Sequence, residues 1–101
     1  MTANLPEIHP GDILAEEFLK PMALTNARLA SDLDVPTSRI SEIVNGKRPI
    51  TVDTAMRLGF YFKMEPRFWL NLQAEYDVRI AKRDLLPEIK ARIRPLESRT
   101  A

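Results

Sequence analysis

Residues 24–49, LTNARLASDLDVPTSRISEIVNGKRP, constrain this 101-residue chain more than any other stretch. Leu29, Ala30 and Leu33 recur with helical spacing and define one inward face. Asp34 and Val35 interrupt that pattern, and Pro36 opens a second segment in which Ile40, Ile43 and Val44 mark another apolar stripe. At about 100° per residue, the side opposite this second stripe carries Ser38, Ser41, Glu42 and Asn45, with Thr37 beside them. Two short helices joined by a tight turn, the second with an outer face of short hydrogen-bonding side chains, form a helix-turn-helix pattern. In such a unit the second helix lies in the DNA major groove.

The remainder of the chain reads as further helices, with no convincing strand. A first helix is predicted over 10–20, started by Pro10 and Asp12 and stopped by Pro21, with Ile13, Leu14 and Phe18 inward. The motif supplies helices over 26–33, capped by Thr25, and 37–45, ended at Gly46. A fourth helix spans 52–62 behind Thr51, with Ala55, Leu58 and Phe62 inward and Gly59 weakening it. A fifth spans 66–80, with Trp69, Leu72, Tyr76 and Ile80 at spacings of three and four. Residues 83–101 are broken by Pro87 and Pro95, with room for a short amphipathic helix over 88–94 and mobile last residues. The expected organisation is an all-α, five-helix helix-turn-helix domain over 1–80, which includes a dimerisation helix over 66–80, followed by a basic extension over 81–101.

Composition narrows the function class. Hydrophobic residues make up 45% of the chain, enough for one globular core, and there is no cysteine for a disulfide, thiolate site or nucleophile. No signal peptide and no membrane-spanning run are apparent, so a cytoplasmic protein is expected, associated with the nucleoid when on DNA. The net charge of +1 hides an uneven distribution: net −4 over 1–35, +2 over 36–50, −1 over 51–77 and +4 over 78–101. Local positive field, not the total, governs docking on phosphates. An enzyme is not expected. The one histidine, His9, sits where a helix begins, Glu16 and Glu17 are adjacent and diverge, and neither a metal-ligand cluster nor a phosphate-cradling loop is present. No cofactor and no metal are expected.

RISEIVNGKRPIT strongly resembles the lambda-repressor-like, or Xre-type, helix-turn-helix. IHPGDILAEEFLKP before it, with TAMRLGFYF and FWLNLQAEYD after it, narrows the resemblance to HigA-type antitoxins, also known as virulence-associated protein I. The match covers about residues 8 to 80. It implies a small homodimeric DNA-binding protein that represses its own operon and neutralises a HigB-like toxin, a ribosome-dependent RNA-cleaving enzyme. Many relatives place Gly in the turn where this chain has Asp34, a residue that tolerates the left-handed conformation better than most.

Wheel geometry and the family pattern together assign base contacts to Thr37, Ser38, Arg39, Ser41 and Glu42, and phosphate contacts to Asn26, Asn45, Lys47 and Arg48. Arg39 reaches either a guanine edge or a phosphate. Glu42 either accepts from a cytosine amino group or pairs with Arg39 or Lys47. One such module makes few base contacts, so a dimer on a palindromic double-stranded operator is expected, with half-sites roughly 34 Å apart or a multiple of that. The aromatic-rich fifth helix supplies the expected dimer interface: Phe68, Trp69, Leu72 and Tyr76. The basic end, with Arg79, Lys82, Arg83, Lys90, Arg92 and Arg94, is a solvated terminus, a contact to flanking DNA or a toxin contact. The alternative functions are a stand-alone Xre-type regulator and a module devoted mainly to protein interaction.

Overall fold

Capping chemistry sets most of the helix limits. The computed structural model describes residues 7–97. Expectations for the last four residues, mobility included, lie outside these. Among the described residues all regular structure is helical. α1 (Pro10–Ile13) continues directly into a π-helical segment (Leu14–Leu19), and α2 (Asn26–Leu33), α3 (Thr37–Val44), α4 (Val52–Phe62), α5 (Pro66–Asp84) and α6 (Leu86–Arg92) follow. The Thr25 hydroxyl accepts from Arg28 N at 3.0 Å at the head of α2, and Thr51 accepts from Thr54 N at 3.4 Å at the head of α4. Both are the expected N-caps.

The C-terminal third departs from expectation. α5 runs on to Asp84, so the division expected after residue 80 falls inside a helix. No Gly or Pro stops the chain there, and Lys82 and Arg83 in the last turn complement the negative helix end. Pro87 does not break the chain before a helix over 88–94. It sits in the first turn of α6, where a missing N–H costs little, and the helix starts at Leu86.

Several helices close on a left-handed residue: Ala23 (φ 55°), Asp34 (φ 60°), Gly46 (φ 75°) and Lys63 (φ 58°). After α2, Asp34 N–H donates to Ser31 O at 3.2 Å and Val35 N–H to Ala30 O at 3.0 Å. After α3, Gly46 N–H donates to Ile43 O at 3.0 Å and Lys47 N–H to Glu42 O at 2.8 Å. These paired bonds satisfy carbonyls that a helix end otherwise orphans. Asp34 therefore closes the turn between α2 and α3 without a glycine.

The core is built from Leu14, Leu19, Leu29, Ala30, Leu33, Ile40, Ile43, Ile50, Ala55, Leu58 and Trp69. The inward stripes expected on the two motif helices are thus the ones that pack, except that Val44 is only half-buried. Trp69 corrects the expectation of a dimer face: it is fully buried. Its ring lies 4.9 Å from that of Phe18 and 5.0 Å, edge-on, from that of Phe68. The aromatic surplus of α5 is consumed by the monomer core, which needs large side chains to fill the space between α5 and the first helix.

Two glycines are required by close approach. A Cβ on Gly59 would lie 2.8 Å from Met64 O, so Gly59, which weakens α4 by propensity, admits the returning chain of the α4–α5 turn. A Cβ on Gly11 would lie 1.8 Å from Ile43 O, on backbone that cannot swing aside. α1 thus rests on α3 backbone to backbone. Gly11→Ala is expected to lower unfolding free energy by about 3 kcal/mol, the upper range for overpacking. Thermal denaturation measures it, and a change within about 0.5 kcal/mol, as for an ordinary surface position, would contradict this packing.

Candidate nucleic-acid interface

α3 presents its first turn to solvent. Thr37 and Ser38 are exposed, and Ser41 and Glu42 are half-buried along the same side, while Ile40 and Ile43 on the opposite side are fully buried. Pro36 at the N-cap position provides no side-chain cap, so the first amides of α3 meet no side-chain acceptor of their own cap residue. A recognition helix contacts base edges with its N-terminal residues, which is where Thr37 and Ser38 stand.

The charged members of the set are held by partners. Arg39 donates to Asp53 Oδ2 at 2.7 Å, and the same oxygen accepts from Arg57 Nε at 3.0 Å. These two bonds, Arg57 first and Arg39 second, hold the Asp53 carboxyl below the usual range. Glu42 pairs with Arg48 at 2.7 Å rather than with Arg39 or Lys47. That pair ties the loop after α3 back to the helix and cancels the acidic charge on the candidate DNA face. Both pairs are open to solvent and can exchange for phosphate or base partners.

Asn45, Lys47 and Arg48 are exposed on the loop that leaves α3, and Asn26 is half-buried at the first position of α2. Residues 37–48 therefore form one continuous polar and basic surface, with Asn26 contributed by a separate helix. The rest of the basic end is partly neutralised within its own helices: Arg79 pairs with Glu75 at 3.4 Å, Arg83 with Asp84 at 2.8 Å and Arg92 with Glu88 at 3.7 Å. Of the expected dimer residues other than Trp69, Leu72 packs against the core. Tyr76 sets its ring 4.8 Å from His9, and Phe68 leaves 38% of its surface open.

Four side chains that the motif reading did not assign position this surface. Gln73, buried on α5, accepts from Ile50 N at 2.8 Å and donates to Asp77 at 3.0 Å, which fixes the far end of the loop. His9 caps α1 by accepting from Gly11 N at Nδ1, 2.9 Å, while Asp12 accepts from His9 N at 3.2 Å. The His9 ring also borders Gly46, whose absent Cβ would be 3.8 Å from His9 Cγ. Arg57 donates to Leu33 O at 2.8 Å and so braces the turn between α2 and α3, and Tyr61 donates to Asp32 at 2.6 Å. A glutamine on an otherwise apolar stripe and the i,i+4 pair Asp53–Arg57 were the signals available in the sequence.

Burial lowers the His9 pKa, against smaller opposing pulls from Asp12 and Asp77. The Gly11 amide also needs an unprotonated Nδ1. The unfolded chain therefore binds the proton first as pH falls through the ordinary value of 6.5, and the His9 contribution to stability, complete above that pH, is lost towards the lower folded value. Because the chain has a single histidine, the effect is separable. Between pH 7 and 5 the melting temperature of the wild type is expected to fall more steeply than that of His9→Asn, which keeps a capping oxygen without a proton site. Parallel curves would contradict a buried neutral His9.

The Helix-turn-helix family model matches residues 16–66. Virulence-associated protein I of Dichelobacter nodosus is 52% identical over 81 residues, 80% of this chain and 75% of that protein. Among solved structures, Pseudomonas aeruginosa antitoxin HigA with the higBA promoter is 40% identical, with a TM-score of 0.88 over 91% of this chain and all of that one. Antitoxin GraA in complex with its operator is 36% identical, with a TM-score of 0.86 over 97% of this chain and 99% of that one.

Proposed function

This chain belongs to the helix-turn-helix family of virulence-associated protein I and the HigA antitoxins, a family of DNA-binding proteins rather than enzymes, and from that premise we propose that it is an autoregulating antitoxin. It binds a palindromic operator as a homodimer, represses the operon that encodes it, and neutralises a HigB-like RNA-cleaving toxin made from the same operon. The protein acts in the cytoplasm, on the nucleoid when DNA-bound. No helix among the described residues is long and apolar enough to cross a membrane.

The observation that carries the DNA half of this reading is the exposed first turn of α3, with Thr37 and Ser38 open and Arg39 and Glu42 held in exchangeable ion pairs. Thr37, Ser38 and Ser41 are the base-reading side chains, with Arg39 released from Asp53 to a base edge or a phosphate and Glu42 released from Arg48 to a cytosine amino group. Asn26, Asn45, Lys47 and Arg48 set the register on the backbone. The toxin half rests on the family resemblance, and a small basic protein encoded beside this chain is the partner it requires.

Binding to the chain's own upstream DNA and to a scrambled duplex, each at two salt concentrations, tests the reading. The wild type is expected to prefer the upstream DNA, and the Ser38→Ala, Arg39→Ala double variant to lose about 10- to 100-fold of that preference, as for the loss of one or two base contacts of about 1–3 kcal/mol each. Weak, equally salt-sensitive binding to both duplexes would leave only the generic phosphate attraction and overturn it.

A further inference from the structure

α4 is apolar on two sides. Ala55 and Leu58 face the core and are fully buried, yet Val52, Met56 and Phe60, spaced four apart on another side, are 62%, 56% and 89% exposed. Beside Phe60 runs an open groove of about 1170 Å³ whose walls include Leu33, Met64 and Pro66. Its rim carries Lys63 and Glu65, neither of which forms an ion pair among the described residues. A large aromatic ring left almost bare next to an empty apolar groove is not accounted for by the monomer.

We infer that this face is the twofold dimer surface, the Phe60 ring of each copy seated in the groove of the other; the inference rests on the DNA-binding reading only for the need of a dimer. Three features favour a second copy as the occupant. The knob and the groove lie on the same patch, as an isologous contact requires. The rim is self-complementary in charge, with Lys63 and Glu65 free to pair crosswise, whereas a basic partner would call for an acidic rim. The area is adequate: each buried Phe removes about 150–250 Å² from water, and Phe60 with Met56, Val52 and the groove walls approaches the roughly 800 Å² per partner of a standard interface. α4 also borders the α3 face through the 2.7 Å Arg39–Asp53 bond. Pairing through α4 therefore fixes the relative placement of the two recognition helices, a task that the buried Trp69 of α5 cannot perform.

The mass of the full-length chain without DNA, measured across concentration by sedimentation equilibrium, is the test. The wild type is expected at twice the chain mass. Phe60→Asp, at a solvent-exposed position and with an unchanged circular dichroism spectrum, is expected to dissociate with a dissociation constant raised about 100-fold or more. Val78→Asp, on the outer side of α5, is expected to remain dimeric. A Phe60→Asp variant that stays dimeric, a Val78→Asp variant that alone becomes monomeric, or a wild type monomeric at about 100 μM would each overturn the inference. So would a monomeric wild type that binds the product of the neighbouring gene through Phe60. Since no DNA is present, failure here is distinct from failure of operator binding by the wild type.

Discussion

Direct backbone contact between the first helix and α3 is the constraint on which the rest of this structure depends. Only glycine at position 11 lets α1 reach the Ile43 carbonyl, where a Cβ would lie 1.8 Å away. That approach brings the start of α1 against the end of α3, so the His9 cap borders Gly46 and the loop beyond it. It also leaves α3 with its apolar side fully covered, Ile40 and Ile43 both at 0% exposure, and its polar side turned outward. An eight-residue helix is too short to persist alone in water, so its shape and its aim come from these tertiary contacts.

The same logic extends to the loop and the turn on either side of α3. Gln73 holds Ile50 N, Arg57 holds the carbonyl of Leu33, and left-handed Asp34 and Gly46 close the flanking helices. The groups that position α3 are buried or anchored to backbone, whereas those offered to DNA are exposed or held in solvent-open pairs. This separation gives a rigid frame around a face whose charges can change partners, which a DNA reader needs because ion pairs in water exchange for phosphate contacts at little cost.

Much of this was legible in the sequence. The apolar stripes of α2 and α3, the caps at Thr25 and Thr51, and the turn at Asp34 follow from periodicity and local chemistry that act within a few residues. Trp69 was misassigned to a partner surface because a helical stripe shows that a residue is apolar, not which neighbour covers it. Gln73 and His9 escaped assignment because their partners, Ile50 N and the Gly46 region, lie far along the chain or belong to the backbone, which carries no sequence signal. The length of α5 and the start of α6 hinged on Pro87, which breaks a helix interior but opens a helix at its first turn. The exposed stripe of Val52, Met56 and Phe60 was visible as a second apolar side of α4, and only the fold shows that it faces solvent.

One recognition helix about 12 Å long, at 1.5 Å per residue, spans only a few base pairs, so the proposed function requires two of them on one face of a duplex. Base-resolved methylation interference on the chain's own upstream DNA tests that claim most directly, because it reports contact at guanine N7 in the major groove. The account predicts interference confined to two short patches related by a twofold, with centres about one helical turn apart or a multiple of it. Protection of the backbone without any major-groove interference would contradict it, and would mean that α3 meets DNA through phosphates alone or not at all.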